Sequence, residues 1–95
     1  MPLYMLACFD KPDALDLRMA TREAHLAWAR DKHERIRMAG PMLDEQDRMA
    51  GSLFFLEAET EADVRAFNAD DPYTKAGLFE RVEIKRFRST LGQPL

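Results

Sequence analysis

Cysteine is nearly absent from this 95-residue chain: Cys8 stands alone, so no internal disulfide can form. Its neighbours Ala7 and Phe9 point to a packed thiol, since a reactive one needs a nearby cation. No apolar stretch approaches the roughly 20 residues needed to cross a bilayer. Charge of one sign is also lacking. The net charge is −3 and the basic residues are dispersed. Their densest run, Lys85-Arg86-Phe87-Arg88, lies beside Glu83 and reads as a solvated strand end, so neither nucleic acid nor an anionic membrane is expected as a partner. A glycine-rich phosphate loop, a cysteine pair for zinc and a nucleophile elbow are all missing. His25 and His33 lie about two turns, or ~12 Å, apart along one helix and cannot share a metal. Metal, nucleotide and acyl-enzyme chemistry therefore drop out, and no cofactor is expected. The first residues, Met1-Pro2-Leu3-Tyr4-Met5-Leu6, carry no basic leader, so no signal peptide is expected and the cytoplasm is the expected location.

What is present is ordinary for a globular protein: 46% hydrophobic and 33% charged residues, with a length that suits one domain over residues 1–95. Leu3 to Phe9 is continuously apolar, which predicts a strand covered on both faces and therefore central in its sheet. Asp10-Lys11-Pro12-Asp13 breaks the run and opens a helical stretch near Ala14. A second helical stretch is predicted after Thr21, read as an N-cap with Glu23 in the first turn, and should reach Glu34. Ile36 to Leu43 reads as a strand with Ile36, Met38 and Met42 on one side. Pro41 places that strand at an edge. A polar loop from Asp44 to Ala50 leads into Gly51-Ser52-Leu53-Phe54-Phe55-Leu56, again apolar on both faces. Thr60-Glu61-Ala62-Asp63 resembles a capping box, and the helix it starts carries Val64 and Phe67 inward. Gly77 closes a short helical turn, and Phe79 to Phe87 is the last strand, with Val82 and Ile84 inward and Glu83 and Lys85 toward water.

The order is β-α-β-β-α-β, a ferredoxin-like α+β fold with an antiparallel sheet. Its helices cover one sheet face, yet the two central strands are apolar on both. Packing two such sheets face to face would bury the surplus, which predicts a homodimer.

His25 and Asp71 are the side chains best suited to move a proton together, because a histidine oriented by a carboxylate is a minimal acid–base unit. Each has an alternative. His25 flanks the stripe formed by Arg22, Leu26 and Ala29, where a boundary histidine with an ordinary hydrogen bond would also fit. Asp71 precedes Pro72, so the helix should end near Asp70 and Asp71 is placed to N-cap a new turn. Its spacing from Val64 and Phe67 also aims it toward the core side. Gly40-Pro41 and Gly51-Ser52 flank the hairpin loop and could wall a pocket. Ser52 is a candidate donor to a ligand oxygen or a turn residue. Arg22 could meet a substrate carboxylate, or pair with Glu23 or Asp70. Tyr73 is a donor or a packing aromatic, and the methionines, Trp28 and most phenylalanines are core or interface filling.

Taken in order, Asp10-Lys11-Pro12-Asp13, Arg22-Glu23-Ala24-His25-Leu26, Ala39-Gly40-Pro41, Gly51-Ser52, Asp70-Asp71-Pro72-Tyr73 and Ala76-Gly77-Leu78-Phe79 resemble the YciI-like (YCII-related) family over nearly the whole chain. The resemblance implies a ferredoxin-like fold, a dimeric α/β-barrel assembly and an active site built around a histidine and an aspartate, here His25 and Asp71. Ser52 and the Gly40-Pro41 turn match family positions near the pocket. Glu23 is a departure, since many relatives have proline there. One relative is a dehydrochlorinase of chlorinated-aromatic breakdown, and more distant dimeric barrels include a lactone isomerase and cofactor-free monooxygenases. The resulting expectation is a cofactor-free lyase or isomerase acting on a small organic substrate. The alternatives are a dimer that holds a small metabolite or serves as an accessory subunit, and purely structural roles for His25 and Asp71.

Overall fold

The two segments that are apolar along both faces occupy the middle of the sheet. A computed structural model describes residues 1–95 as β1 (Leu3–Asp10), α1 (Leu15–Asp31), β2 (Ile36–Leu43), β3 (Met49–Glu57), α2 (Glu61–Asp70), α3 (Pro72–Lys75) and β4 (Phe79–Phe87). The antiparallel sheet runs β2-β3-β1-β4, which puts β1 and β3 inside and Pro41 on an edge strand, as its missing N–H requires. This is the ferredoxin-like arrangement, with a four-residue α3 added between α2 and β4.

Strand alternation divides the sheet into two unlike faces. On one, Tyr4, Leu6 and Cys8 of β1 and Phe54 and Leu56 of β3 pack with Ala58, Val64 and Phe67, and Trp28, Ile36, Val82 and Ile84 close the edges. All three helices lie on this side, as the ring contacts Trp28–Phe54, Phe67–Phe54 and Tyr73–Phe79 show. The other face carries Met5, Leu53 and Phe55 with Met38 and Phe87, which are 51% and 39% exposed, and no helix covers it. Glu83 and Lys85 lie on this open side, opposite the inward Val82 and Ile84.

Local signals account for most boundaries. Thr60 N-caps α2, its hydroxyl accepting the Asp63 amide at 3.2 Å. Gly77 turns the chain out of α3 at φ +76°, a conformation side chains disfavour. Gly51 is needed for space, because a Cβ there would sit 2.6 Å from the Cys8 carbonyl oxygen. Gly40 and Gly51 lie inside paired strands rather than at strand ends.

The structure corrects several expectations. Residues 15–31 form one continuous helix and not two. Thr21 is no cap: its hydroxyl donates to the Leu17 carbonyl at 2.9 Å, a bond available only within a helix. The helix also stops at Asp31, short of Glu34. In β2, a register shift between Ile36 and Met38 reverses the alternation, so Ile36 packs toward the helices while Met38 and Met42 face the open side. Met19 lies outside the core of the single chain, 53% exposed on α1.

Candidate functional site

Pro72 disfavours helical geometry at the residue before it, and Asp71 is accordingly extended (φ −63°, ψ 127°) between α2 and α3. That kink turns its side chain inward. Oδ1 accepts the Tyr73 amide at 2.9 Å, capping α3, and the same oxygen meets Nδ1 of His25 at 2.8 Å. One oxygen thus caps α3 and also contacts His25. Asp71 is fully buried and His25 is 9% exposed. Oδ2 of Asp71 is buried without any partner. One turn beyond His25, the Trp28 indole donates to Asp70 Oδ2 at 2.9 Å and fastens α1 to the end of α2. The His25 ring stacks on Tyr73, with centroids 4.1 Å apart and planes at 17°, and meets Phe54 edge-on at 6.1 Å.

The remaining nitrogen of His25, Nε2, has no partner within the chain and is not sealed from solvent. The ring borders a cavity of about 120 Å³. Arg18, Arg22, His25, Leu26 and Ala29 of α1 form one wall, and Ala39, Gly40 and Pro41 of β2 form another. Met49, Ser52, Phe54 and Tyr73 complete the lining. Of the seven residues singled out from the sequence, His25, Arg22, Gly40, Pro41, Ser52 and Tyr73 therefore border one cavity, with Asp71 behind the histidine. Arg22 pairs with neither Glu23 nor Asp70; Asp70 is taken by Trp28 and Lys75. A larger groove of about 390 Å³ runs between residues 10–16 and the β2–β3 turn, but it contains no base paired with a buried acid.

Sequence reasoning missed Arg18, which is 2% exposed. It grips Asp10 with two bonds of 2.7 and 2.8 Å, donates to Ser52 Oγ at 2.9 Å, and lies 4.5 Å from the Tyr73 ring centroid. The signal existed, since residues 18, 22, 25 and 29 follow helical spacing along the cavity-facing stripe of α1. Splitting that helix at Thr21 hid it.

Burial acts on three proton affinities here. It would lower that of the Arg18 guanidinium, but the Asp10 hydrogen bonds and charge outweigh it and the net shift is upward. The Tyr73 hydroxyl is raised by burial against the opposing pull of Arg18 and Arg22. Burial, joined by the Asp71 charge, pushes the Cys8 thiol up to about 12, so it is an inert packed group as its neighbours indicated.

The profile of the YCII-related domain matches residues 2–88. Protein YciI of Escherichia coli is 37% identical over 94 residues, spanning 90% of this chain and 96% of that protein. An uncharacterized protein of Haemophilus influenzae is 30% identical over 93 residues, spanning 90% and 95%. Among solved structures, the 5-chloro-2-hydroxyhydroquinone dehydrochlorinase of Burkholderia phenoliruptrix, in complex with 2,5-dihydroxybenzoquinone, is similar with a TM-score of 0.85 at 32% identity, covering 93% of this chain and 95% of that one. An antibiotic biosynthesis monooxygenase shares the fold alone, with a TM-score of 0.56 at 14% identity over 96% of this chain and 100% of its own.

Proposed function

This chain belongs to the YCII-related family, and from that premise we propose that it is a cofactor-free acid–base enzyme of the lyase or isomerase type acting on a small organic substrate. The carrying observation is the asymmetry of His25: Nδ1 is held by buried Asp71 while Nε2 is left unpartnered beside the cavity. With Asp71 ionised, Nδ1 carries the proton and donates to Oδ1, which leaves the Nε2 lone pair for the substrate. Nε2 removes a proton from substrate, and the imidazolium formed is paired with Asp71. It then returns that proton, to a second atom of the substrate in an isomerisation or to the departing group in an elimination. Because Oδ1 also holds the Tyr73 amide, the carboxylate is locked in place and the imidazole keeps its orientation.

The cavity is smaller than ordinary ligand sites and near the size of engineered apolar cavities that admit benzene, which suits a substrate of a single ring. The similar dehydrochlorinase, which holds a dihydroxybenzoquinone, supports a ring-derived substrate. Ser52 and Arg22 would contact it, and the Gly40-Pro41 segment would form its outer wall. The test is turnover of hydroxylated chloroaromatics, followed by chloride release, and of unsaturated lactones, followed by absorbance. His25→Ala should lower turnover by about 10²–10⁴-fold, with His25→Gln, whose amide can still donate to Asp71, as the better-folded control. Full activity in both variants would overturn the reading.

A second copy of the chain is the proposed cover for the open sheet face, because Met38, Leu53, Phe55 and Phe87 make an apolar surface that a monomer leaves in water. Sedimentation should report a dimer for the wild type and a monomer for Phe55→Lys; a wild type that sediments as a monomer at high concentration would refute this.

A further inference from the structure

Three side chains lining the cavity carry or can carry positive charge, Arg18, Arg22 and His25, and none carries a negative one. Two of them are matched from behind the wall. Asp10 takes Arg18 through both oxygens, and Asp71 takes His25. Arg22 forms no ion pair with any carboxylate of the chain, although Asp70 and Glu23 are near in sequence. One further group is unmatched. Ser52 is 4% exposed, and its Oγ accepts from Arg18 at 2.9 Å, so a lone pair is used while the hydroxyl proton has no acceptor in the chain. The adjacent guanidinium polarises that O–H toward donation. A buried donor left without an acceptor is costly, and an oxygen entering the cavity relieves the cost. Between these two points the lining is apolar and flat-sided, with Phe54, Tyr73, Leu26 and Pro41.

We propose that the cavity selects a small planar anion, one unsaturated ring in size, whose acidic oxygen is held by the Ser52 hydroxyl and the Arg22 guanidinium. Arg18 is then a positioning residue that acts through Ser52, fixing the direction in which the hydroxyl donates. The proposal concerns the same cavity as the acid–base reading and names its substrate class, but it does not need His25 to act as a base. The oxyanion has two chemical sources, a ring-borne hydroxyl and a carboxylate. A guanidinium can take both oxygens of a carboxylate at once, whereas a phenolate presents one.

The test is calorimetric titration of the whole protein at mildly alkaline pH with four probes: 4-nitrophenolate and benzoate as anions, nitrobenzene and benzamide as neutral counterparts of similar shape. At least one anion should bind about tenfold or more tightly than its neutral counterpart, the size of one charge-assisted contact, and whichever anion is preferred identifies the source. Arg22→Gln and Ser52→Ala should each reduce that preference about tenfold, and Arg22→Lys should restore part of it. Equal binding of anions and neutral probes, or an anion preference untouched by both Arg22→Gln and Ser52→Ala, would overturn the proposal. His25→Ala separates the two ideas. If it abolishes turnover while anions never bind better than neutral probes, the substrate class is wrong and the acid–base reading stands. If the anion preference persists in a wild type that turns nothing over, the acid–base reading fails and the selectivity stands.

Discussion

Two carboxylates with buried side chains each hold a basic group that contacts the Tyr73 ring, and they are used in opposite ways. Asp10 faces Arg18 and spends both oxygens on it, with the two side chains only 6% and 2% exposed. Asp71 faces His25 with side-chain exposures of 1% and 11%, spends Oδ1 on two donors and leaves Oδ2 with none. The cations differ as well: a guanidinium does not release its proton in a protein, whereas an imidazole readily does. The first pair is complete in one protonation state and holds the end of β1 against α1. The second has capacity left over, a free nitrogen at the cavity and an unused carboxylate oxygen behind it. Burial and pairing are common to both, so they do not by themselves distinguish the two; the unspent donor and acceptor capacity does, and the proposed function rests on it.

The same substitution at both carboxylates breaks the comparison most directly. Asp10→Asn leaves the Arg18 charge buried without a counterion and should cost about 3–5 kcal/mol, read from the denaturant midpoint. A shift below about 1 kcal/mol would mean that water or another group reaches Arg18. Asp71→Asn should be far milder for stability, about 1 kcal/mol, since asparagine caps helices nearly as well and the imidazole can remain neutral. Its effect should fall instead on turnover, by about 10²-fold, because the amide no longer pairs with the imidazolium. Nitrogen chemical shifts of the His25 ring should report a proton on Nδ1 in the wild type and a mixture of tautomers in the variant. An unchanged tautomer together with unchanged turnover would reduce Asp71 to a cap.

Cys8 senses both pairs and sharpens the contrast through its pH dependence. Its thiol is raised from 9.0 to about 12, first by burial and then by Asp71 and Asp10, against the pull of Arg18. A folded-state value above the unfolded one stabilises the protein only while the unfolded thiol also keeps its proton. Stability should therefore decline as pH rises above 9, by at most about 1.4 kcal/mol per pH unit from this group. Cys8→Ala should show a shallower decline over the same range, and parallel pH profiles would remove the thiol from the balance.

Much of the fold is legible in the sequence. The apolar runs at Leu3–Phe9 and Gly51–Leu56 located the central strands, because only a covered strand tolerates apolar residues on both faces. Thr60 and the Asp71-Pro72 pair marked helix starts through chemistry that acts within a few residues. The misreading at Thr21 had the opposite origin. A threonine that bonds back to the preceding turn resembles a cap in sequence, and the difference lies in whether the helix is already running. That single error removed Arg18 from the stripe containing Arg22 and His25. The register shift at Ile36–Met38 was equally hidden, since nothing in the local pattern shows where a partner strand takes up an extra residue.

By itself, then, the sequence determined what depends on near neighbours: which segments extend, where helices start, that Asp71 must leave the helix before Pro72, and that one sheet face would lack a cover. Tertiary structure alone decided which distant groups meet. His25 and Asp71 are 46 residues apart and Arg18 and Ser52 are 34 apart, yet each pair makes a hydrogen bond under 3 Å. Such contacts depend on strand register and on how α1 is rotated against the sheet, and a change of one residue in either would turn these side chains away from one another.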